Sequence, residues 1–145
     1  MHCHTSRGLF MSGDAPYSVD LDSSIAVYSQ IANQILFEVA SGRLPVGGRA
    51  PSGRDLAAML GVNPNTVMKA YRDLELIGVV DSRRGIGVTI TEKGPKIARE
   101  RAVATVCAHL REAVAECLAV GIKPADIRAM TADAIAGARR PYRKG

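Results

Sequence analysis

Asn63, Asn65 and Thr66 are short polar residues crowded into four positions, and Lys69 and Arg72 follow at steps of three. On a helix such steps fall along one side, so that side runs from polar to basic. Upstream, Ser52 and Arg54 flank Gly53; downstream, Arg83 and Arg84 precede Gly85 and Gly87. These groups contain no nucleophile with its base, no paired carboxylates and no phosphate-cradling glycine loop, so catalysis has no evident seat. They suit a polyanion read at close range. Cations displace condensed counterions, donors fix register on phosphates, and a few side chains reach base edges. Asn65 is the expected base reader, because an amide pairs bidentately with adenine, while Lys69 reaches guanine or a phosphate. The fork of Arg54 suits guanine or phosphate. Arg83 and Arg84 stand where a glycine-tipped loop brings them to a minor groove.

The elements that must carry these residues can be read from periodicity and breakers. Tyr28, Ile31, Ile35, Leu36 and Val39 recur at steps of three and four, which predicts a first helix over 25–41 ended by Gly42. Leu44 to Pro51 holds several Gly and Pro breakers and reads as a connecting turn. Ser52-Gly-Arg-Asp55 has the form of a capping box for a short second helix with Leu56, Ala57 and Leu60 inward. In that box Ser52 accepts from the Asp55 amide and Asp55 reaches back. Gly61 turns the chain, and Asn63 followed by Pro64 opens a third helix, 64–77, whose buried face is Val67, Ala70, Tyr71, Leu74 and Ile77. The aromatic body of Tyr71 is thereby assigned to the core. Two short helices joined by a glycine turn have the layout of a helix-turn-helix. Val79-Val80 and Val88 to Ile90 then predict a hairpin with a wing-like loop over 81–88.

From Glu92 the pattern is helical again. Val103, Val106, Leu110, Ala113, Cys117 and Val120 alternate steps of three and four, which marks a contact seam. Gly121 ends that helix and Pro124 opens another, with Ile127, Met130, Ala134 and Ile135 inward. Alanine-rich helices of this kind bury little area each, so the pair is expected to need a partner, a second copy of the chain. Residues 1–18 show no periodicity and are expected to be disordered, with Met11 a second candidate start of translation. Residues 19–91 form the helix-turn-helix unit with its wing, 92–138 the helical dimerisation region, and 139–145 a basic tail. The fold class is mainly α with a small β-wing.

Composition sets outer bounds. The chain has 145 residues, 47% hydrophobic and 23% charged, the balance of an ordinary globular protein. Its net charge of +5 and isoelectric point near 9.4 fit a nucleic-acid partner. The basic excess extends from the middle of the chain to its end and is not confined to one tail. No apolar run approaches the roughly 18 residues of a membrane helix, and no signal core opens the chain, so a cytoplasmic protein without a membrane partner is expected. Three cysteines, Cys3, Cys107 and Cys117, argue against a disulfide framework. His2-Cys3-His4 lacks a fourth ligand on a fixed scaffold, and no metal or cofactor is expected. Cys107 and Cys117 lie about 80° off a common helical face, so they make no chelate and are expected as small buried hydrophobes. His109 is expected at the surface beside the seam.

The run Pro51-Ser-Gly-Arg-Asp-Leu-Ala57, then Leu60-Gly-Val-Asn-Pro-Asn-Thr-Val67, Lys69-Ala-Tyr71, Leu74-Glu75, Gly78 and Arg83-Arg-Gly-Ile-Gly87, resembles the winged helix-turn-helix of the GntR family. Asn63-Pro-Asn-Thr-Val67 with Lys69-Ala-Tyr71 is similar to the YtrA branch. Asp20-Leu-Asp-Ser23 and Tyr28-Ser-Gln-Ile31 fit the family's approach to the first helix. The resemblance covers about residues 19–90, and the two-helix tail is similar to that branch's compact dimerisation region. It implies that Arg54 reaches DNA and that the Arg83-Arg84-Gly85 tip works at a minor groove. The sequence departs from the family at Ala26, Val46, Ala50 and Gly53, the last inside the capping box, and at Val88, where Thr is customary. The expectation is a dimeric regulator of transcription, a repressor, on an inverted-repeat DNA operator. Control would come from a small-molecule effector at the dimer interface or from expression level alone. A protein–protein adaptor without specific DNA binding is the alternative; it has no need for Asn63, Asn65, Lys69, Arg72 and a two-arginine wing together. A remnant of a regulator fused to an aminotransferase-like domain ranks lower, since no cofactor-lysine domain follows.

Overall fold

The computed structural model describes residues 17–138. His2, Cys3, His4 and Met11 lie outside them, as does the basic tail from Arg139. The elements run α1 (Val27–Ala40), α2 (Gly53–Leu60), α3 (Pro64–Leu76), β1 (Val80–Arg83), β2 (Gly87–Ile90), α4 (Gly94–Ala119) and α5 (Pro124–Ala138). The described chain divides after Val103 into two units.

In the first unit three helices close on one core because their apolar stripes face inward. Ile31, Ile35, Leu36 and Val39 of α1 join Leu56 and Ala57 of α2 and Val67, Ala70, Tyr71 and Leu74 of α3. Leu60 and Ile77, expected inside, are only half-buried at the rim. Ser52 caps α2 by accepting from the Asp55 amide at 3.1 Å, while the Asp55 carboxylate accepts from the Ser52 hydroxyl at 2.6 Å and not from its backbone amide. Gly61, at φ 65°, makes the left-handed turn between α2 and α3. The Tyr71 hydroxyl donates to the Pro51 carbonyl, tying the middle of α3 to the approach to α2.

The wing is an antiparallel pair in which Val80 faces Ile90 and Arg83 faces Gly87. Its free edge is covered by a segment read from sequence as a mere turn. The Ala50 amide donates to the Val88 carbonyl at 2.9 Å, the Ile90 amide to Gly48 at 3.0 Å and the Gly47 amide to Ile90 at 2.9 Å. The segment makes a single isolated bridge, Arg49 opposite Thr89, and its glycines and proline erase the alternation that would have marked it in the sequence. Thr91 donates its hydroxyl to the Gly78 carbonyl at the base of the wing. Gly94 and Ala98 of α4 are buried in this same unit, so the helix expected to start the second region gives its first turns to the first.

Tyr17 and Ser18 also depart from expectation. Both fell in the stretch expected to be disordered, yet Tyr17 is 8% exposed and belongs to the core. Two glutamines of α1 hold this segment: Gln34 accepts from the Ser18 amide at 2.8 Å and Gln30 from the Asp20 amide at 2.9 Å. Each also donates to the carbonyl of the same residue, so Gln30 and Gln34 serve as a side-chain ladder for an extended backbone. Burial, with the Glu38 carboxylate adding to it, pushes the Tyr17 phenol up from 10 to about 12, against a smaller opposing pull from Arg43. A raised phenol favours the fold in its protonated form, so its contribution is whole below pH 10 and lost as pH rises through about 12. Thermal stability is expected to fall across that window, and Tyr17→Phe to lessen the fall. An equally steep loss in the variant would place the titration elsewhere.

The second unit is described by itself. None of the residues of α5 is buried, and of α4 only Gly94 and Ala98, both before this unit, are. Val106, Leu110, Leu118, Val120, Met130 and Ile135 are exposed. Cys107 is exposed and Cys117 half-buried, so neither is the buried hydrophobe expected of it in the single chain. His109 is exposed as expected. Among the described residues no helix is long and apolar enough to cross a membrane.

Candidate nucleic-acid interface

Helix α3 presents its chemistry because its buried face is so well defined. With Val67, Ala70, Tyr71 and Leu74 turned inward, Asn65, Lys69 and Arg72 come out together on the opposite side, and all three are exposed. Asn63 is also exposed, but its Oδ1 accepts from the Asn65 amide at 2.8 Å as the helix cap. That oxygen is committed, while the Asn65 side chain has no hydrogen-bond partner among the described residues. Thr66 is half-buried and lies toward the flank, away from the line that joins Asn65 to Arg72. Ser52 likewise spends its hydroxyl on Asp55.

The cations differ in how they are held. Arg83 donates from Nε to Asp81 at 2.8 Å, which anchors it along the wing. Arg54, Arg72 and Arg84 are exposed and have no ion-pair partner among the described residues. At the wing tip Gly85, at φ 81°, and Gly87, at φ 95°, take conformations that a side chain resists, and the Ile86 amide closes the turn on the Arg83 carbonyl at 3.1 Å. Uncompensated guanidiniums on a water-exposed face stay available to an external anion.

Two participants escaped the sequence reading. Tyr28, assigned to the apolar stripe of α1, does pack half-buried against the core, and it also carries the Lys69 ammonium over its ring, 3.5 Å from the centroid. Lys69 is thus positioned from another helix, a contact that no local spacing announces. The Ser29 hydroxyl and then Lys69 lower the Tyr28 phenol below its ordinary range, while burial raises Tyr17 and Tyr71 above it. Tyr28 is therefore expected to be the first of these three to ionise in an absorbance titration, and Lys69→Ala to move that first step upward. An unmoved step would mean the ammonium does not rest on the ring. The second is Met68, 41% exposed on the same helix.

This geometry, a helix-turn-helix with a polar and cationic third helix and a two-arginine wing, has counterparts among known proteins. The model of the family described as bacterial regulatory proteins, gntR family, matches residues 27–90. The HTH-type transcriptional regulator Rv1152 of Mycobacterium tuberculosis is 36% identical over 108 residues, 74% of this chain and 84% of that protein. The chain belongs to the GntR family. Within it, the HTH-type transcriptional repressor YtrA of Bacillus subtilis is 31% identical over 105 residues, 72% of this chain and 81% of that one. A solved GntR family transcriptional regulator from Listeria monocytogenes superposes with a TM-score of 0.59 at 31% identity, covering 77% of this chain and 97% of its own. The GntR-family chain described here is thus a YtrA-like, DNA-binding regulator of transcription, with a winged helix followed by a helical region. Its family is one of regulators and not of enzymes.

Proposed function

We propose that the chain is a homodimeric repressor that acts in the cytoplasm on an inverted-repeat operator. The observation that carries the reading is the exposed face of α3, where Asn65, Lys69 and Arg72 stand together opposite the core. Asn65 reads a base edge in the major groove, and Lys69, steered by Tyr28, meets a guanine or phosphate beside it. Arg54 and Arg72 fix register on phosphates, with Ser52, Asn63 and Thr66 around them; Arg83, Arg84 and Gly85 bring the wing to the minor groove.

The dimer is built from α4 and α5. Val103, Val106, Leu110, Ala113, Cys117 and Val120 form its seam, a reading supported because all of these but the half-buried Cys117 otherwise face water. A two-fold protein matches a two-fold site, with half-sites spaced so that both copies of α3 face adjacent major grooves. Repression is favoured by the likeness to YtrA, a repressor by name. Selection of duplexes from a randomised pool by the full chain tests all of this. An inverted repeat should emerge; recovery of sequences without symmetry would remove the dimeric reading, and recovery of no preferred sequence would remove the operator.

A further inference from the structure

We propose that Met68 reads the C5-methyl group of a thymine in the operator, from a seat that Gly53 makes for it. The inference rests on the reading of α3 as the DNA-facing helix and adds to it a determinant of sequence.

Met68 lies three residues after Asn65 and four before Arg72, outside the buried face of α3 and on the side where those two are exposed. Its neighbour across the helix-turn-helix is the first residue of α2. A Cβ placed on Gly53 would come within 2.7 Å of the Met68 sulfur and 3.6 Å of its Cγ. The backbone of Gly53 is not in the left-handed region, so no turn demands a glycine there. A glycine in a helix is costly compared with alanine. The steric role accounts for it: the thioether occupies the space that any side chain at position 53 would fill.

The consequence is an apolar group on a face otherwise made of an amide and cations. Met68 has no strong donor to offer a phosphate or a guanine. The major groove has one apolar feature on its floor, the thymine methyl, and it is recognised by apolar contact. A flexible, polarisable thioether adapts well to such a small target. Its sulfur, the atom nearest position 53, lodges against the first turn of α2, which limits how far the side chain can swing, while the residue stays 41% exposed on the side of Asn65 and Arg72.

Thymine-to-uracil replacement tests this, because it removes the methyl and nothing else. The probe is a duplex selected by the full chain from a randomised pool, with each thymine of one half-site replaced in turn. One such replacement is expected to weaken the unaltered protein about fourfold, the equivalent of one buried methylene, and to leave Met68→Ala unaffected. Gly53→Ala should fold at least as well, since alanine is the better helix former, yet displace the thioether and blunt the same penalty. If the unaltered protein ignores every replacement, or Met68→Ala keeps the full penalty, Met68 reads no methyl. If the protein selects no sequence at all, the DNA-facing role of α3 fails and the proposal falls with it.

Discussion

Leu110→Glu is expected to leave the winged unit folded, convert the proposed dimer to monomers and reduce operator affinity by a hundredfold or more. Leu110 sits at the middle of the α4 seam, 55% exposed in the single chain, so the carboxylate costs the isolated protein little. In the proposed dimer the carboxylate would be buried within the seam of each protomer, and each buried charge costs several kcal/mol. The winged unit has its own core, centred on Ile35, Leu56, Val67 and Leu74. Its melting should persist. Affinity falls because two linked half-site readers gain about two to four orders of magnitude from simultaneous engagement, and a monomer forfeits that gain. Sedimentation and a binding titration on the same preparation check both halves. A persistent dimer would place the interface elsewhere.

Asn65→Ala is expected to cost about 1–3 kcal/mol of operator binding and to relax preference at one base pair of each half-site. The fold should not notice. It is the Asn65 backbone amide, not its side chain, that the Asn63 cap holds, and alanine is a better helix former than asparagine. Asn63→Ala makes the informative contrast. It removes the cap itself, at about 1 kcal/mol of stability, and should lower binding without changing which bases are preferred. Binding of each variant to a panel of single-base operator changes separates the two. Unchanged preference in Asn65→Ala would mean that this amide reads no base.

Much of this was legible because it is local. Asn63-Pro64 and Ser52 to Asp55 announce helix starts, Gly61 and Gly78 announce ends, and steps of three and four pick out Ile31, Ile35, Val67 and Leu74 as core. The exposed line of Asn65, Lys69 and Arg72 follows from that inward face by elimination. What stayed hidden depends on residues brought together from afar. The Tyr28 ring beneath Lys69 joins residues 41 positions apart, and an aromatic on an apolar stripe looks like core until its neighbour is known. The seat of Met68 on Gly53 is of the same kind. Gly47 to Ala50 bond to the edge of β2 through backbone groups alone, where side-chain alternation gives no sign. Tyr17 escaped because one buried aromatic ahead of a helix carries no period. The seam of α4 was legible as a pattern of steps of three and four, and most of it is exposed in the single chain.

Specific operator recognition is tested by binding of the purified full chain to the intergenic DNA upstream of its own gene, against a scrambled duplex of equal length and composition, across a salt series. Tight binding to the first alone is expected, with affinity falling steeply as salt rises because several phosphates are neutralised at once by Arg54, Arg72, Arg84 and their counterparts in the proposed second copy. Equal and weak binding to both duplexes would contradict it.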